Sequence, residues 1–480
     1  MLACLRATCV ACMLISMVRD WRDDRIEELE RENAELRAFV ARLQRRIEEL
    51  EAKLAQFSGN SSRPPSSDPP GAPPPARPKR TGRRRGGQRG HKKHSRALVP
   101  AEQVTRTVVL HPSACRGCGK TLRGDDPAPY RHQVIDLPKV VATVEEYQLH
   151  ALVCDGCHLR TRAALPTGVP TGQFGPRLQA IVAVCSGTYR MSKRAIEELV
   201  GDFFGVSIAL GSVSNLEHAT SEAIARPVEQ VASAMQREPI VHADETGWFE
   251  RSRRAWLWVA VTSQMAVYLV RRSRGAHVAK ELLGAAFSGI LISDRWSGYA
   301  WVNIAQRQLC WAHLLRQFVG FQAYGREASE IGRALELLTE TMFHNWHRVR
   351  DGTMTRAVFQ ELMRPLREHV RARLCEGASC SIRAVAGRCR EILDVESALW
   401  TFVAAHGVEP TNNAAERGAR HGVLWRKTSF GTDSPSGSRF VERILTVVMT
   451  LRLQKRNVLD YVTEACEARL HGRSAPALIA

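Results

Sequence analysis

The chain has 480 residues, 44% of them hydrophobic, a composition that is globular and not fibrous and long enough for about three domains. Its net charge of +19 favours a polyanionic partner but does not separate DNA, RNA and an anionic membrane. Thirteen cysteines over this length, four of them in the CxxC pairs of residues 115–118 and 154–157, read as metal ligands and reduced thiols, which argues against a small disulfide scaffold and for a cytoplasmic compartment.

Residues 1–18 are apolar with Arg6 inside, but a charged helix follows and no small-residue cleavage site does. We expect translation to start at Met17 and residues 1–21 to be a non-native or disordered extension. Residues 22–57 carry an unbroken heptad. Ile26, Asn33, Val40, Ile47 and Leu54 form one seam position, and Leu29, Leu36, Leu43, Leu50 and Phe57 the other. Branched residues at the first, leucine at the second and a single seam asparagine predict a parallel coiled coil, hence a homodimer or higher oligomer through residues 26–57.

Residues 58–96, rich in proline, glycine and serine, cannot bury a core and are expected to be a disordered linker. Their second half is basic; Arg83, Arg84, Arg85, Lys92 and Lys93 are candidate DNA-binding residues, with a solvated spacer as the plainer reading. Residues 97–170 hold Cys115, Cys118, Cys154 and Cys157, with strand-like stretches such as residues 140–153 between the pairs. Four thiolates about 2.3 Å from one structural zinc ion would staple a module too small to fold on its own core. His158 reads as a neighbour of that site, not a ligand.

Residues 171–237 read as helical, and the spacing of residues 195–203, a Gly205-Val206-Ser207 turn and residues 210–223 matches a helix-turn-helix, or equally a plain helical bundle. The period then changes. Residues 240–243, 256–262 and 266–271 predict an antiparallel meander, residues 277–287 a helix, and two further strands end at Asp294 and near residues 308–310. Three strands, helix, strand, helix, strand, helix is the order of the ribonuclease-H-like fold, in which the first and fourth strands are neighbours. Asp244 and Asp294 each close an apolar strand, and Glu416 lies in an Asn-Asn-Ala-Ala-Glu-Arg helix start. The separation of Asp294 from Glu416 exceeds what one strand and one helix need. Residues 238–320 are therefore expected to be the first part of a catalytic core and 321–400 an all-helical insertion. Residues 401–440 return to the core with the glutamate helix, and 441–480 form a helical tail. The expected fold class is α+β and multidomain.

Three acids brought together make a hard oxygen site suited to two magnesium or manganese ions, roughly 3.5–4 Å apart, for phosphoryl transfer on a nucleic acid. Taken alone, Glu416 could instead complete a capping box with Asn413. Glu245 reads as solvated or as lying behind Asp244. Cys310, His313 and Arg316 read as possible supports of the acids, and Arg426 and Lys427 as phosphate ligands or a solvated charged turn.

The residues that follow carry a resemblance: the coiled coil, Asn60-Ser61-Ser62-Arg63-Pro64-Pro65-Ser66-Ser67-Asp68, the paired cysteines, Ala243-Asp244-Glu245-Thr246, Cys310-Trp311-Ala312-His313 and Thr411-Asn412-Asn413-Ala414-Ala415-Glu416-Arg417. In these motifs and their order, nearly everything after Asp20 resembles the bacterial insertion-sequence transposases of the sixty-six group. The resemblance implies an acidic-triad DNA transposase with Asp244, Asp294 and Glu416 as metal-binding acids. It also implies the terminal inverted repeats and target DNA as partners, and accessory proteins of the same element. Gly418 and Ala419 depart from the larger helix formers usual after the glutamate. A zinc-containing DNA-binding regulator with an inert catalytic fold, and a nuclease without strand transfer, stay open as alternatives.

Overall fold

The computed structural model describes residues 2–54 and 96–479 and shows a mixed α+β protein. Helix α1 (Leu2–Leu54) takes in the heptads together with the residues before them. Ile26, Leu29, Leu36, Val40, Leu43, Ile47 and Leu50 are between 45% and 63% exposed, so the seam is an apolar stripe open to a partner. The basic residues of the linker lie outside the described residues. No described helix is long and apolar enough to cross a membrane.

Residues 97–170 contain little regular structure. The strand expected over residues 140–153 is confined to β1 (Ala151–Val153), paired antiparallel with β2 (Arg160–Arg162). No residue between 97 and 170 is buried.

Four helices follow: α2 (Pro176–Gly187), α3 (Lys193–Phe204), α4 (Leu210–Ala223) and α5 (Ala225–Met235). Ser192 caps α3 by accepting from the Ala195 amide at 3.2 Å, and Gly205 ends it in the left-handed conformation at φ +65°, where a side chain would be strained. Ile196, Val200, Ile208 and Val213 close the α3–α4 pair onto Val182 of α2.

A five-stranded sheet of order β5-β4-β3-β6-β7 forms the centre. Strands β3 (Ile240–Glu250), β4 (Arg253–Val261) and β5 (Ala266–Arg271) make the expected antiparallel meander; β6 (Ile290–Ser293) runs parallel to β3, and β7 (Arg307–Leu309) parallel to β6. First and fourth strands are thus neighbours. Helix α6 (Ala276–Leu283) precedes β6, whereas the helix expected between β6 and β7 is replaced by two short 3-10 turns, Ser297–Tyr299 and Ile304–Gln306. Edge strand β5 is covered from the side by α13 (Pro435–Leu453). Thr450, Thr446 and Glu442, spaced four apart on one helix face, accept from the amides of Ala266, Tyr268 and Val270 at 3.1, 3.1 and 2.6 Å.

After β7 come α7 (Trp311–Phe321), α8 (Gly325–Arg350), α9 (Arg356–Ala378), α10 (Arg383–Leu393) and the short α11 (Thr401–Ala404). Leu335, Met342, Phe359, Leu374 and Cys389 build a helical core that runs on to Ile292 and Leu309 of the sheet. Helix α12 (Asn413–Ser429) then lies across β3 and β4, and α14 (Val458–Leu470) closes the chain against α2 and α4. A Cβ at Gly422 would stand 2.0 Å from Leu257 Cδ2, and one at Gly418 3.1 Å from Val261 Cγ2. With Ala419, which is also buried, these small residues let α12 approach the sheet closely, so the departure noted in the sequence serves packing.

Candidate active site

Alternation along β3 sends its adjacent acids to opposite faces of the sheet. Asp244 stands across from Val259 of β4, and Glu245 across from Trp258. Val259 packs on Gly418, so Asp244 shares the face covered by α12, whose first turn carries Glu416. The expectation that Asp244 closes its strand needs correction. Pairing with β4 continues to Glu250, and only the parallel pairing with β6 stops, at His242. Asp294 directly follows β6. Both aspartates therefore stand where the parallel pair opens, and both keep some exposure.

The charges of the other two acids reach Asp244, although among the described residues the three carboxylates do not gather into one group of ligand spacing. Burial holds the Asp244 carboxyl well above its usual range, and the charges of Glu245, Asp294 and Glu416 push the same way, against one hydrogen bond from the Glu245 amide at 2.9 Å. Burial also raises Asp294, despite a 2.9 Å hydrogen bond from the Trp296 amide and the guanidinium groups of Arg274, Arg307 and Arg295.

Glu416 Oε1 lies 3.4 Å from His313 Nδ1 and 3.9 Å from Arg316 Nη2. Both Oε1 and Nδ1 are buried without a hydrogen-bond partner. Cys310, His313 and Glu416 offer ligand atoms within 4.8 Å of one another. Burial, then Arg316 and Arg295, lower His313 to about 3, so its ring is neutral; burial pushes the Cys310 thiol up to about 11.

The capping-box reading of Glu416 does not hold. The residue before α12 is Asn412, not Asn413, and its side chain caps nothing in the helix. Asn412 Nδ2 instead donates to the Ala243 carbonyl at 2.7 Å, its Oδ1 lies 3.3 Å from His242 Nδ1, and its amide donates to Cys310 Sγ at 3.1 Å. The Cys310 amide donates to Ser293 at 2.9 Å. One buried asparagine thus joins the residue before Asp244 to the start of the Glu416 helix, and through Cys310 to the residue before Asp294. Sequence reasoning quoted Asn412 within a motif but gave it no role.

Glu245 is not solvated: its side chain is 1% exposed, it takes Arg274 Nη2 at 2.6 Å, and the Tyr299 hydroxyl donates to it at 2.7 Å. Arg274 in turn lies 3.8 Å over the Trp296 ring and 4.7 Å over that of Trp256. Arg274 and Tyr299 were not anticipated, because nothing local in the sequence marks them. Arg426 donates to the Gly247 carbonyl, which ties it to β3, while Lys427 is exposed. Each cysteine pair closes a tight turn, and the Cys115 and Cys154 thiols are lowered chiefly by hydrogen bonds from the amides of Cys118 and Cys157. Among the described residues the four thiols do not gather into one group of ligand spacing.

Residues 171–439 match a family model described as Transposase IS66 family, a span that contains all three acids. Residues 18–97 match a family of unknown function, DUF6444. Two proteins of Sinorhizobium fredii (strain NBRC 101917 / NGR234) are similar over most of their length. Uncharacterized protein y4qI is 24% identical, covering 78% of this chain and 74% of the relative. Uncharacterized protein y4hP is also 24% identical, covering 72% and 69%.

Proposed function

The chain belongs to the IS66 transposase family, and from that premise we propose that it binds the ends of its own mobile element, cuts them by metal-dependent hydrolysis and joins them to target DNA. The observation that supports this reading is the placing of both aspartates where β3 and β6 part, with the charges of Asp294 and Glu416 acting on Asp244 and Glu416 Oε1 buried without a hydrogen bond. An all-oxygen donor set in that condition fits a hard divalent cation. These three carboxylates would hold magnesium or manganese, which would supply charge neutralisation at the phosphodiester and an activated water or hydroxyl.

The chain's own residues set the geometry. Asn412 and Cys310 hold the two aspartates and the glutamate helix in fixed relation. Arg316, facing Glu416, and Arg295, beside Asp294, supply positive charge for the phosphate. In hydrolysis the water oxygen bonds to phosphorus and the 3′ oxygen leaves. In joining, that 3′ hydroxyl attacks a target phosphodiester and the target's own 3′ oxygen leaves, in line in both steps. We read the sheet as a ribonuclease-H-like core with a helical insertion, which the adjacency of its first and fourth strands supports. A zinc-stapled cysteine module, the basic arm and the α3–α4 pair grip DNA in this reading, and the heptads of α1 join protomers.

Precleaved element ends incubated with a plasmid test the proposal. Wild type should yield joined product, and Asp244→Ala should lower joining by about a thousandfold or more while leaving end binding almost unchanged. Cutting without joining would make the protein a nuclease, and full activity in the variant would remove Asp244 from the chemistry.

A further inference from the structure

Glu416 belongs to two neighbourhoods of different chemistry. Toward Asp244 it acts by its charge, and in the function proposed above it joins the two aspartates in an oxygen set. Toward the start of α7 it faces an imidazole and a thiol, and its Oε1 and His313 Nδ1 are buried there without a hydrogen bond. We propose that Cys310 Sγ, His313 Nδ1 and Glu416 Oε1 form a second cation site, for a borderline divalent ion of the zinc class, that competes with the three-acid site for Glu416. The competition rests on the function proposed above, whereas the binding does not.

The spacing suits such an ion. Zinc bonds of about 2.0–2.3 Å in a tetrahedron put ligand atoms about 3.3–3.8 Å apart. His313 Nδ1 and Glu416 Oε1 are 3.4 Å apart already. All three ligand atoms lie within 4.8 Å, so a small side-chain shift brings the sulfur in. Thiolate and imidazole select zinc-class ions over magnesium. The scaffold is rigid: Cys310 is tied by its amide to Ser293, and His313, three residues on, stands over it in the first turn of α7. Three protein ligands leave the fourth position to water. Arg316 faces the cluster, but its side chain is 30% exposed and can turn outward as an ion enters. An ion held there draws Glu416 away from the aspartates, so zinc becomes an inhibitor of the magnesium-dependent reaction.

Cobalt(II), a coloured stand-in for zinc, tests this on the full chain. Bound cobalt per chain and the thiolate-to-cobalt absorption are compared for wild type, Cys310→Ser and His313→Gln, with Cys154→Ser reporting the cysteine module separately. Melting of each metal-free protein identifies any variant that fails to fold, and the other then decides. Wild type should hold one equivalent more than Cys310→Ser and His313→Gln, and Cys154→Ser should keep that equivalent. Equal stoichiometry and spectra in wild type and both site variants overturn the site. In the cleavage reaction with magnesium, zinc should slow wild type about tenfold or more, each protein being compared with its own zinc-free rate. The two site variants should be far less affected. Cobalt binding with undiminished wild-type cleavage overturns the competition. If no protein cleaves at all, the transposase reading fails, while the cobalt stoichiometry still decides the site.

Discussion

The sheet that carries the acids and the module that carries the paired cysteines are held on different terms. In the sheet Trp248, Trp258 and Leu291 are fully buried, whereas in the module Leu110 is 86%, Tyr130 91% and Val144 90% exposed. Burial of apolar surface is enough to fix the first. The second buries none of its residues, and in the function proposed above an ion at the four thiols supplies its order. The same contrast divides the two proposed metal sites: the sheet fixes the backbone that carries the acids, whereas no buried core fixes the four thiols.

The largest expected effect breaks that comparison at the module. Replacing Cys154 and Cys157 with serine, or adding a metal chelator, should make residues 97–170 protease-sensitive and weaken element-end binding by about tenfold or more. The thermal transition of the sheet should hardly move. A joint loss of both would show that the module is part of the same cooperative unit. Limited proteolysis with mass mapping, beside calorimetry, reads both.

Next in size is Asn412→Ala, which leaves the buried Ala243 carbonyl without its donor and frees the start of α12. It should lower stability by about 1–3 kcal/mol. It should also cut cleavage about tenfold, the lower end of what losing a group that orients metal ligands costs. A melt and a cleavage rate check it; unchanged activity would mean that Asn412 only packs.

The smallest effect concerns pH. Burial, with Arg452, Arg190 and Arg420, lowers His421 on α12 from 6.5 to about 4. Below 6.5 the unfolded chain takes up a proton that the folded chain refuses, so stability falls as the pH drops from 6.5 toward 4 and is unaffected by this group above that window. The ring is partly exposed, so solvent screening keeps the loss to about 1–2 kcal/mol. Denaturation of wild type and His421→Gln at several pH values should give curves that converge or cross in this range; parallel curves would remove His421 as the cause.

Much of the sheet was legible because its period is plain. The bounds of β5 and of α4 agree with those read from the residues, since alternation and a glycine turn mark them. The length of β3 was not legible: its outer half is set by pairing with β4, a nonlocal partner, and so Asp244 looked terminal when it is not. The two aspartates drew notice as acids next to apolar strand residues, and Glu416 as an acid at a helix start. Asn412 did not, because Asn-Asn before a helix suggests capping, and only the third dimension shows its side chain turned to Ala243. Arg274 and Tyr299 were invisible for a similar reason, lying 29 and 54 positions from the glutamate they hold.

The most direct test of the central claim is a crystal of the full protein grown with manganese and measured at its anomalous edge. The account predicts density for the ion between the carboxylates, with oxygens of Asp244, Asp294 and Glu416 at about 2.0–2.2 Å, the range of a small octahedral divalent ion. Three well-ordered acids with no anomalous peak among them, or a peak that none of the three touches, would contradict it.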